Sequence, residues 1–245
     1  MYYIIKKTIK HLLPRKLFFT CEPLLRSILY LFYKGDHYIC NICAKKLSRF
    51  LQINNGDKLC PNCGSLPRSR RLYYILQQKY LKPFKKILDF SPSRCLYRKL
   101  KKIPSIFYYS TDISGDFISD HHYNIEKIDS LSEQFDLIIC YHILEHIQDD
   151  IQAIKELYRI MKFSGTAIIQ TPFKVGDNYE DRSIISSHDR LKHFGQEDHV
   201  RIYSIQGLKS RLESCGFQVE ILSFSEMSDN IYGYKTKEDV LICRK

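Results

Sequence analysis

The stretch from Phe135 to Pro172 carries the clearest pattern of apolar and polar positions in the chain. Residues 135–140, FDLIIC, are a nearly continuous apolar run, which is typical of a parallel strand covered on both faces. An apolar stripe at helical spacing follows, consisting of Ile147, Ile151, Ile154, Leu157, Ile160 and Met161. Residues 166–170, TAIIQ, are a second apolar run. The pattern predicts a strand, a helix and a second strand joined by a right-handed crossover.

Charged residues lie where the ends of this helix are expected. Asp149 and Asp150 occur at its start, and Arg159 and Lys162 at its end, an arrangement that complements the helix dipole. Gly165 is expected to end the helix in a left-handed conformation.

Shorter apolar runs on either side extend the predicted sheet. Residues 85–90 (KKILDF) and 106–111 are expected to form two strands, with a helix over 94–102 between them. A weaker third strand is expected at 123–125. Towards the end of the chain, the pattern predicts a helix up to Cys215 and two last strands over 217–222 and 240–244. The sequence therefore predicts an α/β fold.

The first 36 residues are basic and apolar, and Pro14 and Pro23 are expected to divide them into short pieces. Apolar residues from Leu24 to Phe32 are spaced as in an amphipathic helix, which either packs on the following domain or makes a peripheral membrane contact through its basic side. The longest uncharged run, residues 27–33, is far shorter than the roughly 20 residues that span a bilayer.

Four of the nine cysteines form two C-x2-C pairs separated by sixteen residues: Cys40, Cys43, Cys60 and Cys63. Each pair supplies half of a tetrahedral thiolate site, so the spacing predicts a closed, structural zinc site. The alternative is an unmetallated or redox pair, but neither C-x2-C precedes a helix in a βαβ setting. The chain is thus expected to comprise a basic amphipathic segment (1–36), a zinc-knuckle module (37–65), a linking helix (66–84) and an α/β domain (85–245).

The formal net charge is +11, which indicates either a basic solvated surface or an anionic partner such as phosphate, nucleic acid or acidic lipid. The odd number of cysteines and the lack of a signal-peptide pattern predict a reducing, cytoplasmic compartment, with peripheral membrane attachment as a variant of it.

Two aspartates follow neighbouring predicted strands at the edge where doubly wound sheets bind ligands. Asp89 ends the first strand and Asp112 follows the second, where an acidic group commonly binds ribose hydroxyls. The turn after the first strand reads Ser91-Pro92-Ser93 and lacks the glycines of a nucleotide fingerprint. A dinucleotide needs that close turn for its pyrophosphate, so the sequence favours a ligand without phosphates.

Residues 142–146 spell H-x-x-E-H, the inverted zinc-peptidase motif. A peptidase needs both histidines on one helix, whereas this motif is predicted at the end of a strand. We therefore interpret Glu145 and His146 as a polar network at the entry of the following helix.

The segment FDLIIC-x-HILEH, together with the helix ending L-x-R-I-M-K-x-x-G, resembles class I S-adenosylmethionine-dependent methyltransferases. The resemblance covers roughly residues 85–245 and extends to a bacterial subgroup with an N-terminal cysteine knuckle and a segment like His193–Arg201 (HFGQEDHVR). It implies a Rossmann-like sheet that is parallel except for its final, antiparallel strand. It also implies a set of cofactor-binding positions: Asp89, Phe90, Ser91, Asp112, Ile113, Asn124, Ile125, Tyr141 and His142.

Residues 173–204 are long, polar and rich in charge, and they follow the fifth strand of the resemblance. A connection of this length at the carboxyl edge of the sheet is expected to be a substrate lid, with a structural clamp as the alternative. His193, Asp198 and His199 are the candidates for a base that removes the acceptor's proton.

The resemblance implies methyl transfer from S-adenosylmethionine to an oxygen or nitrogen of a small-molecule, saccharide or lipid-linked acceptor. Two alternatives involve nucleic acid: an RNA- or partner-binding knuckle protein with a degenerate, inactive methyltransferase fold, and an RNA methyltransferase. The knuckle sequence shows no clear aromatic stacking platform, which argues against both. The sequence does not indicate an oligomeric state.

Overall fold

A computed structural model describes residues 15–53, 56–225 and 228–245. The chain forms two compact units, the first from Met1–Gln77 with Met227–Lys235 and the second from Gln78–Glu226 with Thr236–Lys245. The first unit thus contains a short stretch that lies, in sequence, between the last two strands of the second. Residues 1–14, which include Pro14, lie outside the described residues.

The first unit combines helices with two small antiparallel pairs of strands, β1 with β2 and β3 with β4. Its elements are α1 (Arg15–Leu31), β1 (Lys34–Ile39), β2 (Lys46–Leu47), β3 (Leu51–Gln52), β4 (Lys58–Leu59) and α2 (Pro67–Ile75), which continues into a π-helical turn at Leu76–Tyr80.

The expectation that Pro23 interrupts the N-terminal segment is wrong, because α1 continues through it. A proline removes only its own hydrogen bond to the preceding turn, and a buried ion pair between Glu22 and Arg26 (2.9 Å) supports the same part of the helix. Within the described residues, no helix is long and apolar enough to cross a membrane.

Residues 228–235 are held in the first unit by Arg70, whose side chain is fully buried. Its guanidinium donates to the carbonyls of Tyr232 (2.7 Å) and Gly233 (2.6 Å). It also donates to the carbonyls of Lys58 and Ser65 on the cysteine-bearing stretch. One arginine therefore joins the two separate stretches of chain that form this unit.

The second unit is built on a six-stranded sheet in the order β12-β13-β8-β7-β5-β6. Strands β8, β7, β5 and β6 are parallel, and β13 runs antiparallel to both of its neighbours, which confirms what the family resemblance implies. The elements that build and cover this sheet are β5 (Lys86–Phe90), α3 (Arg94–Leu100), β6 (Phe107–Thr111), β7 (Phe135–Tyr141), α4 (Asp150–Ile160), β8 (Met161–Gln170), α6 (Ile205–Ser214), β12 (Gln218–Phe224) and β13 (Glu238–Arg244).

The predicted strand–helix–strand unit is confirmed as β7, α4 and β8. Asp149 caps the helix, because its side chain accepts a hydrogen bond from the backbone of Gln152 (3.0 Å). Residues 137–140 of β7 are essentially inaccessible to solvent, which fits a central strand with helices on both faces.

Two details of the expected fold are wrong. Residues 123–125 form no strand, because the side chain of Asn124 accepts from the backbone of Glu126 (2.9 Å) and makes a turn instead. Gly165 does not end α4, because the helix stops at Ile160 and β8 begins at Met161. Gly165 lies within β8, where a Cβ would approach the side chain of Met161 and the carbonyl of Lys162 to less than 3.0 Å.

The connection from β8 to α6 is structured rather than a simple loop. It forms a three-stranded sheet in the order β10-β11-β9 and one helix. The elements are β9 (Phe173–Lys174), β10 (Tyr179–Glu180), α5 (Ser187–Phe194) and β11 (Arg201–Ser204). We call this connection, residues 173–204, the lid segment.

Candidate functional site

The carboxyl ends of β5 and β6 bring Ser91 and Asp112 together. The hydroxyl of Ser91 donates to Oδ1 of Asp112 (2.7 Å), and Ser114 donates to Oδ2 (2.9 Å). Asp112 is only 3% exposed. Ser114 also lies 3.2 Å from Oδ1, and the amide of Phe117 donates to Oδ2 (3.4 Å), so the turn after β5 and the loop after β6 together hold both carboxylate oxygens. In doubly wound sheets, an acidic group at this edge is where ribose hydroxyls bind.

Ser91 occupies the backbone conformation that glycine favours, with φ of +45°. Its amide donates to the carbonyl of Thr111 (2.7 Å), which ties the turn to the end of the neighbouring strand. The tight turn expected of a cofactor-binding sheet is therefore present without glycine, at a strain of about 1–2 kcal/mol.

Asp89 and Phe90, also predicted to bind cofactor, are directed into the protein. Phe90 belongs to the hydrophobic core, and Asp89 accepts a hydrogen bond from the hydroxyl of Tyr108 (2.8 Å). Burial raises the pKa of the Asp89 carboxyl to about 7, with the hydrogen bond from Tyr108 opposing that rise.

The residues predicted to contact the ribose and adenine besides Asp112 differ in how far their side chains are exposed to solvent. Ile113 is exposed next to Asp112. Asn124 belongs to the turn described above, whereas the side chain of Ile125 is buried in the core. For Ile125, only the backbone remains available to a ligand at this edge.

Tyr141 and His142 lie at the carboxyl end of β7. His142 also has a left-handed backbone, with φ of +56°, and its amide donates to the carbonyl of Gln170 (2.8 Å) on β8. Its Nδ1 lies 3.2 Å from Oε1 of Glu145, within ion-pair distance when the histidine is protonated. The strand end is thus bent so that the H-x-x-E-H residues form a compact turn.

Three residues, Glu145, His146 and His199, place one potential ligand atom each within 4.8 Å of one another. We call them the Glu-His-His cluster. Glu145 and His146 belong to a 3-10 turn after β7, and His199 lies at the end of the lid segment. Glu145 is 1% exposed and His199 is 4% exposed. The rings of His146 and His199 pack edge to face, with their centroids 4.7 Å apart.

The Nδ1 atoms of both histidines are engaged outside the cluster. Nδ1 of His199 lies 3.2 Å from the carbonyl oxygen of Phe194, and Nδ1 of His146 lies 3.2 Å from Oδ2 of Asp198. For His199, the carbonyl acceptor at Nδ1 fixes the tautomer that carries the proton there and leaves a lone pair on Nε2. Burial lowers the pKa of His199, so its ring is neutral near pH 7.

Arg201 fixes the turn that carries Glu145. Its buried guanidinium donates to the carbonyls of Leu144 (3.1 Å), Ile147 and Gln148 (2.9 Å), and its Nε pairs with Glu180 (2.8 Å). The amide of Val200 donates to the carbonyl of Glu145 (2.9 Å). The end of the lid segment and the H-x-x-E-H turn are therefore one hydrogen-bonded structure.

The three predicted bases are only partly brought together. Asp198 and His199 both contact His146, whereas His193 is exposed on α5 and its Nδ1 lies 2.9 Å from the hydroxyl of Tyr179. Sequence reasoning assigned no chemistry to Glu145, His146 and Arg201. The H-x-x-E-H spacing was the available signal for the first two, but their connection with His199 across 53 residues depends on the fold.

The first unit contains the four predicted cysteines as a cluster, with all four sulphurs within 4.8 Å of one another. The Cys40 and Cys63 sulphurs are 3.6 Å apart, and those of Cys43 and Cys60 are 3.8 Å apart. Zn–S bonds of about 2.3 Å in a tetrahedron place the sulphurs about 3.8 Å apart, so these residues fit a zinc ion. Neighbouring sulphurs, Cys43 first, hold the pKa of Cys40 far below its usual value.

Both C-x2-C pairs have the same local backbone. The amide of Ala44 donates to the carbonyl of Cys40 (2.7 Å), and the amide of Gly64 donates to that of Cys60 (2.9 Å). Ala44 and Gly64 both have positive φ, +58° and +75°. The repeated turn directs each pair of side chains to a common point.

The first unit also contains a cleft of about 410 Å³ that has aromatic and basic walls. Its lining residues are Tyr33, Tyr38, Arg49, Phe50, Leu51, Gln52 and Lys58. The rings of Tyr38 and Phe50 pack edge to face, and Arg49 lies over the ring of Tyr33. The ring of Phe50 is itself buried and lies under the guanidinium of Arg70, so Tyr33 and Tyr38 are the more accessible aromatic residues of this cleft.

Comparisons with known proteins agree with this arrangement. A family model described as a methyltransferase domain matches residues 37–222. A search of curated proteins found no match.

Among solved structures, a S-adenosylmethionine-dependent methyltransferase from Archaeoglobus fulgidus is 18% identical, with 72% of this chain and 94% of that chain covered and a TM-score of 0.52. A putative sarcosine dimethylglycine methyltransferase from Galdieria sulphuraria is 15% identical, with 73% and 85% covered and a TM-score of 0.52. Phosphoethanolamine N-methyltransferase 2 of Haemonchus contortus, in complex with S-adenosylmethionine, is 12% identical, with 72% and 52% covered and a TM-score of 0.51.

The family match covers more than half of the chain, and the sheet order and the antiparallel final strand agree with it. The chain therefore belongs to the methyltransferase-domain family and is a class I S-adenosylmethionine-dependent methyltransferase by fold.

Proposed function

We propose that this protein transfers a methyl group from S-adenosylmethionine to an oxygen or nitrogen of a small-molecule, saccharide or lipid-linked acceptor. The observation that carries the proposal is the buried carboxylate of Asp112, held by Ser91 and Ser114 at the carboxyl edge of the sheet. In this fold that edge is the ligand crevice.

The crevice supports an in-line displacement. The acceptor's lone pair forms a bond to the methyl carbon, the carbon–sulphur bond breaks, and its electron pair stays on sulphur to give S-adenosylhomocysteine. Holding the two reactants in line supplies most of the catalysis. The acceptor's proton leaves towards the lid segment beside the turn after β7, where the carboxylate of Asp198 is open to solvent.

The cofactor proposal also includes one structural zinc ion, held by the four cysteines. Their sulphur separations support it, as does the burial of Cys40 and Cys60. Four thiolates complete a tetrahedral shell and leave no position for a substrate, so the ion would stabilise the first unit rather than take part in methyl transfer.

Calorimetric titration of the zinc-loaded protein with S-adenosylmethionine tests the function. We expect one binding site per chain, and we expect Asp112→Asn to weaken binding by at least about tenfold, since one charge-assisted hydrogen bond contributes about 1.5–3 kcal/mol. Asp116→Asn is the matched control, because it makes the same change on an exposed residue of the same loop. Failure of the folded wild-type protein to bind the cofactor would exclude the proposal.

A second candidate function is binding of single-stranded nucleic acid, with or without methylation of RNA. The aromatic and basic cleft of the first unit favours it, because bases stack on aromatic rings and phosphates bind Arg and Lys. We expect oligonucleotide affinity to fall steeply with salt and to fall further in Tyr38→Ala. An affinity independent of Tyr38 and of salt would remove this candidate.

Peripheral membrane contact through α1 is proposed as a further property. Its described surface exposes Leu24, Ile28 and Leu31, followed by Phe32, which is 80% exposed. The helix begins with Arg15 and Lys16, and Lys34 follows it in sequence, which suits anionic lipid. Cosedimentation with vesicles of anionic and of neutral lipid tests this contact. We expect Leu24→Glu to abolish binding to anionic vesicles. Equal recovery of the wild type and Leu24→Glu with anionic vesicles would contradict the proposal.

A further inference from the structure

The carboxylate of Glu145 is buried without adequate partners. Neither of its oxygens accepts a directed hydrogen bond from the described residues, and the side chain is 1% exposed. The nearest charged partner is Nδ1 of His142 at 3.2 Å from Oε1, which lacks hydrogen-bond geometry. Burying a carboxylate is costly unless the charge is paired or binds a metal.

The two histidines of the cluster are arranged as metal ligands usually are. Nε2 of the buried His199 has no hydrogen-bond partner among the described residues, while its Nδ1 faces the carbonyl of Phe194. His146 pairs through Nδ1 with the carboxylate of Asp198. Metal-ligating histidines almost always donate their other N–H to a carbonyl or carboxylate, which orients the ring and raises its basicity.

The geometry is close to that of an occupied site. Ligand atoms bound at about 2.1 Å lie roughly 3.0–3.4 Å apart in octahedral or tetrahedral shells, whereas the three atoms here lie within 4.8 Å. Rotations about side-chain bonds would bring the three atoms closer to a common ion. The backbone need not move, because Arg201 and Val200 fix the turn and the lid segment against each other.

We propose that Glu145, His146 and His199 bind one divalent transition-metal cation, at a site separate from the four cysteines. One carboxylate and two imidazoles suit Mn²⁺, Fe²⁺, Co²⁺ or Zn²⁺ and leave coordination positions open. The binding itself does not depend on the methyltransferase activity. The use of the open positions does rest on that proposed function: they would hold an oxygen of the acceptor next to the cofactor crevice and thereby favour hydroxyl-bearing acceptors.

The test is a titration of zinc-loaded, full-length protein with Mn²⁺, followed by electron paramagnetic resonance. Mn²⁺ binds below Zn²⁺ in the affinity order and disfavours thiolates, so it leaves the cysteine site untouched. We expect one Mn²⁺ per chain. Glu145→Gln and His199→Asn should weaken binding by more than about 100-fold, since changes to outer partners of a ligand already cost 10–100-fold. His188→Asn, on the exposed part of the lid segment, is the matched control and should bind as the wild type does.

Two further readouts keep the test decisive. Bound Mn²⁺ should broaden the ring-proton NMR signals of His146 and His199 in the wild-type protein and leave those of His188 unchanged. This measurement uses the wild-type protein alone, so it does not depend on the folding of any variant. Titration with S-adenosylmethionine in the same samples separates the two proposals. Loss of cofactor binding with Mn²⁺ still bound would count against the proposed function alone, and loss of Mn²⁺ binding with the cofactor still bound would count against the metal site alone. A wild-type protein that binds neither Mn²⁺ nor a second equivalent of Zn²⁺, or variants with unchanged affinity, would overturn the inference.

Discussion

The two clusters of potential metal ligands differ in how they are built. The cysteine cluster uses two short turns of the same kind, and its four sulphurs already lie near the spacing that zinc requires. The Glu-His-His cluster joins a turn after β7 to the end of the lid segment, and it offers three ligand atoms of nitrogen and oxygen that lie within 4.8 Å of one another. A complete shell of four thiolates is suited to stability, and an incomplete shell of nitrogen and oxygen is suited to binding a further group.

The buried carboxyls of the second unit make a related contrast. Asp89 accepts a hydrogen bond from the hydroxyl of Tyr108, and burial raises the pKa of its carboxyl to about 7. Burial also opposes ionisation of Glu145. The neighbouring His142, and to a smaller extent His146, nevertheless hold the pKa of the Glu145 carboxyl below its usual value. The surroundings of these two buried carboxyls therefore shift their pKa values in opposite directions.

The largest expected effect is loss of the cysteine cluster. Cys60→Ser removes one of four ligands, and structural zinc in small modules contributes about 10–16 kcal/mol of apparent binding energy, so the first unit should no longer fold cooperatively. Limited proteolysis should cleave within residues 37–65, and the zinc content should fall. Cys21→Ser, in the same unit but outside the cluster, is the control. A protein that stays zinc-free and protease-resistant would contradict the structural role.

The second prediction concerns Asp89 and pH. Its folded pKa of about 7 lies above the ordinary value of 3.8, so the stability it provides is fully present below about pH 4 and is lost as pH rises to 7. Asp89→Asn should therefore gain stability relative to the wild type over that window, by up to about 4 kcal/mol. Urea unfolding of both proteins at several pH values measures the difference. A difference that stays constant with pH would mean that Asp89 is ionised throughout.

Replacement of Arg201 should have the next largest effect. Lysine cannot bind the carbonyls of Leu144, Ile147 and Gln148 together, so Arg201→Lys leaves buried acceptors unsatisfied and should cost about 3 kcal/mol. Affinity for Mn²⁺ should fall as well, because the turn carrying Glu145 loses its support. Arg182→Lys, on the exposed surface of the lid segment, should leave both quantities within about 0.5 kcal/mol. Equal stability of the two variants would show that Arg201 is not the clamp.

The smallest expected effect distinguishes the two cysteine turns. Ala44 and Gly64 share a positive φ, which costs an alanine about 1–2 kcal/mol. Ala44→Gly should relieve this strain, and glycine loses more conformational entropy on folding than alanine does. The net effect should be a stabilisation of the first unit by about 0.5–1 kcal/mol. Gly64→Ala should destabilise it by more, because a Cβ there would also approach the Arg26 side chain to 2.7 Å. Thermal unfolding of the zinc-loaded variants measures both, and changes of the same sign would contradict the equivalence of the turns.

The sequence predicted those features that depend on local spacing. The β7–α4–β8 unit follows from apolar periodicity and is confirmed, as are the antiparallel final strand and the gathering of Cys40, Cys43, Cys60 and Cys63. The positions of Asp112 and Ser91 at one edge follow from strand order, since the carboxyl ends of parallel strands meet there.

Features that depend on distant residues could not be predicted in this way. The role of Glu145 becomes visible only when His199 lies beside it, and the aromatic cleft requires β1, β3 and β4 to assemble. Gly165 was misread because a glycine after a helical stripe usually ends the helix, whereas here it avoids a clash within β8. Such positions are decided by tertiary packing rather than by local propensity.

The central claim is that the second unit binds S-adenosylmethionine through Asp112. Native mass spectrometry of the purified, zinc-loaded protein tests it most directly, because metal, cofactor and oligomeric state appear in one spectrum. We expect one zinc ion in every chain and one added S-adenosylmethionine in the wild type and in Asp116→Asn, with that adduct strongly reduced in Asp112→Asn. A wild-type spectrum that shows zinc-loaded, folded protein without the cofactor adduct would contradict the account.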